Sequence, residues 1–81
     1  MAVRVLYFAS FRDAAGRDQE ERPIRAGARV ADLWRELVAE MPALARTGAM
    51  PPAAVNSAYT GPDTVLADGD EVAFLPPVAG G

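Results

Sequence analysis

Cysteine, histidine and lysine are all absent from this 81-residue chain. Without cysteine there are no disulfides, no thiolate metal sites and no thiol nucleophile. Without histidine the chain lacks the side chain most often used as a general base or a metal ligand. The remaining residues show no convergent acid–base set, so a self-contained enzyme ranks last among the functions open to it. Without lysine there is no side-chain amine to accept an isopeptide bond. All eight basic residues are arginine. They are scattered, with no block that would track a phosphate backbone, so nucleic-acid binding is not expected. The net charge of −3 instead suits a basic protein surface as partner. No apolar run approaches the roughly 20 residues of a membrane span. Met1-Ala2-Val3-Arg4 runs straight into a strand pattern, so no secretory leader is expected. A cytoplasmic location with no membrane association is the expectation.

What is present suffices for one small domain. Apolar residues make up 51% of the chain and charged residues 23%, an ordinary globular balance with a modest core. Val3 to Ala9 is rich in β-branched and aromatic residues on both faces, which predicts a central strand covered on both sides. Phe11 to Gly16 predicts one helical turn closed by the glycine. Gln19 to Arg25 alternates weakly, and its charge and Pro23 mark an edge strand.

Val30, Leu33, Trp34, Leu37, Val38 and Met41 recur at helical spacing, predicting an amphipathic helix stopped by Pro42. Asp32 lies in its first turn, where the helix dipole favours negative charge, but Ala28 and Arg29 are weak capping residues. An irregular crossing follows. Ala53 to Tyr59 reads as one short strand and Glu71 to Leu75 as the last, stopped by Pro76-Pro77. Four strands with one main helix indicate an α+β domain over residues 1–76, with 77–81 as an extended tail.

The tail carries the chemistry. Pro76-Pro77 favours an extended polyproline conformation that needs little ordering. The last five residues, fully extended, reach at most about 17 Å. Gly80-Gly81 has no Cβ and can thread a channel too narrow for side chains, leaving the carboxylate of Gly81 as the reactive group. A carboxylate is a poor acyl donor until activated, for instance as an adenylate. The adenylate can take sulfur and become a thiocarboxylate, a good nucleophile. Two glycines at a given place arise by chance in about half a percent of chains, so the pair gains its meaning from the prolines, the preceding strand and the missing catalytic groups.

Asp68-Gly69-Asp70-Glu71-Val72-Ala73-Phe74-Leu75-Pro76-Pro77-Val78-Ala79-Gly80-Gly81 resembles the end of the molybdopterin synthase small subunits (MoaD), a family of ubiquitin-like sulfur carriers related to ThiS. Val5 to Ala9 with Phe11-Arg12-Asp13 and Gly16, and Ala53 to Asn56, resemble its first and third strands. The resemblance covers the whole chain and implies a β-grasp fold. It also implies that an E1-like enzyme adenylates Gly81 with ATP and that a sulfur donor enzyme converts the adenylate to a thiocarboxylate. The tail then enters the large synthase subunit and gives sulfur to a pterin precursor in molybdenum cofactor biosynthesis. No bound cofactor or metal is implied on this chain, which would be the small subunit of a heteromeric sulfurtransferase. Arg29 departs from the family's usual Ser or Thr at the helix start. Related carriers that serve cysteine, thiamine or tRNA thiolation share the Gly-Gly ending, and a ubiquitin-like protein modifier or a plain interaction module are further alternatives.

Phe74, Leu75, Pro76, Pro77, Val78 and Ala79 are the expected partner-binding residues, with Gly80 and Gly81 at the reacting end. One of Phe74 and Leu75 should fill the core and the other face outward, because they are consecutive on a strand. Trp34 is expected in the core. Asp68, Asp70 and Glu71 read as a turn rather than a cation site, since calcium-loop spacing is missing. Arg12 is expected in a surface salt bridge. Asn56 is expected to bond at a strand end, near the tail.

Overall fold

The computed structural model describes residues 1–46 and 48–76. Five strands and two helices follow in the order β1 (Ala2–Tyr7), α1 (Ala9–Ala15), β2 (Gln19–Pro23), α2 (Val30–Glu40), β3 (Ala53–Val55), β4 (Ala58–Thr60) and β5 (Glu71–Phe74). A 3₁₀ turn, Pro42–Ala45, follows α2 and buries Leu44. The sheet order is β2-β1-β5-β3-β4, with β1 and β5 parallel at its centre and the other pairs antiparallel. One mixed sheet carrying the helices is the β-grasp arrangement of ubiquitin, as expected. None of the described helices is long and apolar enough to cross a membrane.

The core lies between one face of the sheet and α2. Val3, Val5, Tyr7, Val72 and Phe74 point inward from the central strands and meet Val30, Leu33, Trp34 and Leu37 of α2. Trp34 is the hinge of this packing, as its helical spacing predicted. Its ring centroid lies 5.0 Å from Phe74 and 5.5 Å from Phe11, so one indole ties β5 to both helices. Both helices therefore lie on the same side. β1 is central, but the expectation that it is covered on both faces is corrected: Leu6 is only half-buried and Phe8 is 44% exposed. Among the described residues, both helices lie on one side and no helix covers the other.

Ala53 to Tyr59, expected as one strand, is two. Asn56 and Ser57 adopt left-handed φ values of 51° and 71°, which turn the chain tightly into a hairpin. Asparagine tolerates this conformation, and was the available signal. Asn56 also accepts from the Glu71 N–H (3.0 Å) and donates to Asp70 (2.9 Å), so the hairpin is stitched to the start of β5. That places Asn56 at the opposite end of β5 from the tail, roughly 13 Å of strand away. The expectation that it lies near the tail is corrected.

The helices end as their residues dictate. Gly16, at φ 74°, closes α1 by donating its N–H to the Arg12 carbonyl. Arg29 offers α2 no side-chain acceptor, but its own N–H donates to Asp32 Oδ2 at 2.9 Å, so Asp32 supplies part of the missing cap. On edge strand β2 the inward-facing Arg22 is buried and pairs with Glu20, Glu36 and Glu40. An inward charge on an edge strand discourages further strand addition.

These contacts make stability depend on pH. The Arg22 guanidinium holds the Glu40 carboxyl below its usual range, and the Arg29 N–H, then Arg35 and Arg25, do the same for Asp32. A carboxyl whose pKa is lower folded than unfolded contributes fully above its unfolded pKa. The contribution fades as pH falls through its folded pKa. The unfolding midpoint should therefore hold steady down to about pH 4.5 and drop below it. Arg22→Met should flatten that drop, leaving only the part due to Asp32. A midpoint that does not change with acid would refute the assignment.

Candidate functional site

Pro77, Val78, Ala79, Gly80 and Gly81 lie outside the described residues, and so does the expected 77–81 tail. The structure describes the place the tail starts from. Phe74 is paired on both sides, with Tyr7 of β1 and Ala53 of β3. The ladder runs one residue further: the Leu75 N–H donates to the Pro52 carbonyl at 3.0 Å. Pro76 has no N–H to continue it. The strand that leads to the tail is thus held by two neighbours and by the aromatic cluster up to its last residue.

Phe74 is fully buried, so its place among the partner-binding residues is corrected. It anchors the base of the tail and has no surface to offer. Leu75, next on the strand, faces the other way and is half-buried, as is Pro76. Of the expected partner-binding residues, these two are the ones the described surface presents.

They stand beside side chains that sequence reasoning missed. Cross-strand register places Leu6, Ala73, Ala54 and Tyr59 in one row on the face away from the helices. Tyr59 is 77% exposed. Phe8 and Leu75 each follow the last pair of the β1–β5 ladder, Tyr7–Phe74, so exposed Phe8 lies at the same end of the sheet as Leu75. The other end of the same face is polar, where Arg4 pairs with Glu71 at 3.5 Å. The apolar part of the open face therefore lies toward the tail, as a protein-docking surface requires. The period-2 alternation Arg4, Leu6, Phe8 carried this information, but the inward-facing valines hid it.

The remaining candidates sort clearly. Asp68 Oδ1 accepts from the Ala2 N–H and Asp70 Oδ2 from the Ala67 N–H, both at 2.8 Å, so these acids build the turn before β5. Among the described residues, no group of three or more acidic side chains is arranged to hold a metal ion. Arg12 is exposed, and no described carboxylate lies in ion-pair reach of it. The surface salt bridge expected for it is absent among the described residues. No described group is placed as a nucleophile or general base; Tyr7, the one buried hydroxyl of the sheet, donates to Glu20 at 2.6 Å, and burial and that bond push its pKa up.

Comparison with known proteins agrees with this geometry. The chain is 39% identical to the molybdopterin synthase sulfur carrier subunit of Chlamydomonas reinhardtii, in an alignment that covers all of both chains. Its structure is similar to that of Haloferax volcanii small archaeal modifier protein 1, with a TM-score of 0.82, 26% identity and coverage of 95% of this chain and 98% of the other. It is also similar to a chain in the complex of subunits 1 and 2 of molybdopterin-converting factor from Helicobacter pylori, with a TM-score of 0.68, 26% identity and full coverage of both. The sequence profile of the ThiS family matches residues 5–81, from the middle of β1 to the final glycine. On that match, which takes in the second half of β1, the other four strands, both helices and the Gly-Gly pair, the chain belongs to the ThiS family.

Proposed function

We propose that this chain is the sulfur carrier subunit of a molybdopterin synthase and that Gly81 carries the sulfur. The observation that carries the reading is the end-to-end likeness to the Chlamydomonas sulfur carrier subunit. The Helicobacter complex of two converting-factor subunits supports a large subunit as partner. The geometry adds a physical rationale: a rigidly anchored β5, an apolar face beside its end, and two glycines five and six residues beyond Leu75.

The cycle needs groups that this chain does not have. The Gly81 carboxylate attacks the α-phosphate of ATP, held by an E1-like activating enzyme, and pyrophosphate leaves. The outer sulfur of a donor persulfide then attacks the acyl carbon and AMP leaves; a thiol reductant cleaves the resulting sulfur–sulfur bond, taking up the donor sulfur as a disulfide and releasing the thiocarboxylate. The tail enters the large subunit, where the terminal sulfur bonds to a carbon of the pterin precursor in place of an oxygen leaving group, and water then cleaves the acyl–sulfur bond and returns the Gly81 carboxylate. The chain supplies reach, docking surface and the sulfur-bearing end.

Intact mass tests this reading. After incubation with ATP and a sulfur source in an extract of the host, the chain should exchange one oxygen for sulfur, at Gly81. An unmodified mass, under conditions that load a known carrier, would count against it.

The likeness to a small archaeal modifier protein favours a second reading, attachment of the chain through Gly81 to lysines of other proteins. Such conjugates would carry single copies, or chains joined only at an α-amine, because this chain has no lysine. Higher-mass conjugates in host extracts would support it.

A further inference from the structure

Arginine carries all of the basic side-chain charge, and most of these arginines are occupied. Arg4 lies 3.5 Å from Glu71, Arg17 3.8 Å from Glu20 and Arg25 3.9 Å from Asp32. Arg22 and Arg35 pair with carboxylates, and Arg29 donates to the Asp63 carbonyl at 3.1 Å. Among the described residues, Arg12 and Arg46 have no such partner, and both are exposed.

Both also stand at one end of the molecule. Arg12 is on α1, one turn after Phe8, whose carbonyl accepts its N–H. Arg46 follows the 3₁₀ turn and, with Ala43 and Leu44, borders a groove whose other side is Ser10, Phe11 and Asp13 of α1. Because β1 and β5 run parallel, the end that carries α1 is the end where β5 stops at Pro76. The opposite end carries Asp68, Asp70 and Glu71.

We infer that Arg12 and Arg46, at the end of the fold where β5 stops, are docking residues, which meet carboxylates of the protein that receives the tail. This rests on the carrier reading above. A guanidinium presents a planar set of donors that fits a carboxylate in two parallel hydrogen bonds, and an arginine without an internal partner gives up none to make them. The arrangement also orients the encounter. In a chain of net charge −3, an acidic rim repels the Asp68–Glu71 end and attracts the Arg12–Arg46 end, so approach is tail-first. The basic partner surface suggested by net charge alone would favour the opposite approach.

The test is titration of the full chain against the large synthase subunit of the same organism, with no nucleotide present, at low and high salt. Arg12→Glu with Arg46→Glu should raise Kd by at least about 10-fold, mainly through slower association, and the difference should shrink with salt. Arg12→Lys with Arg46→Lys keeps the charge but loses the planar fork, so association should stay within about 3-fold of the parent while dissociation quickens, with a Kd between those of the parent and the charge reversal. Arg4→Glu with Arg25→Glu makes the same change in net charge away from the tail and should also stay within about 3-fold. Circular dichroism should show every variant folded, since all the changed side chains are exposed. If the parent binds and the Arg12/Arg46 reversal binds as tightly as the Arg4/Arg25 reversal, the inference is wrong and the carrier reading stands. If the parent chain itself does not bind, both fail.

Discussion

Deleting Gly81 should leave the unfolding midpoint where it was and reduce sulfur loading by more than about 100-fold. The two halves of this expectation have separate causes. The core and the sheet end with Phe74, and the last ladder bond is made by Leu75, so removing one glycine six residues later takes away none of the contacts described. The reacting carboxylate, in contrast, withdraws by one residue, about 3.5 Å. Positioning errors near 1 Å already cost about 100-fold in reactions that depend on a held geometry. Gly80→Val should fail for a different reason: the carboxylate keeps its reach, but the side chain meets the walls of the channel. The readouts are the intact mass after ATP and sulfur, and thermal unfolding followed by circular dichroism. A truncated chain that still loads sulfur at the parent rate would remove Gly81 from the reaction.

Phe74→Ala should be the most damaging single substitution in the folded domain. The side chain is fully buried and packs on Trp34, so truncation loses its transfer energy and leaves a cavity, about 3–5 kcal/mol in comparable cores. A domain of 81 residues has only about 4–12 kcal/mol to lose. The midpoint should fall by at least about 15 °C. Partner binding should fall with it, because the end of β5 loses the anchor that aims the tail. Phe74→Leu refills most of the space and should cost about 1 kcal/mol. Leu75→Ala, on the half-buried outer face, should instead weaken docking with little change in stability. A Phe74→Ala variant with a near-parent midpoint would show that β5 is not held by this aromatic cluster.

Much of this was legible in the residues. The six apolar positions from Val30 to Met41 repeat at helical spacing, and α2 runs Val30–Glu40 as they require. Pro23 and the charges around it marked β2, which is an edge. Gly16 marked the end of α1. The β3–β4 hairpin was missed because its turn is Asn56-Ser57 without glycine, and a pair of three-residue strands leaves almost no periodic signal. The charge of Gln19 to Arg25 marked an edge strand but gave no sign that Arg22 faces inward. Arg22 is buried because Glu36 and Glu40 of α2, adjacent only in three dimensions, supply the partners that an inward charge needs.

The sequence by itself determined what this protein can do chemically. Lacking cysteine, histidine and lysine, it has few side chains suited to catalysis, and its one distinctive motif is Pro76-Pro77 followed by Gly80-Gly81. Side-chain chemistry is local, so it can be read from residue types. The tertiary structure decided which residues surround the base of that tail. Leu6, Ala54, Tyr59 and Ala73 form one face only because register aligns β1, the β3–β4 hairpin and β5, which are far apart in the chain. Arg12 and Arg46 share an end because the 3₁₀ turn packs against α1, and it is the end where β5 stops because β1 and β5 run parallel. Register and strand direction are set by long-range pairing and core packing, and a linear sequence holds them only implicitly.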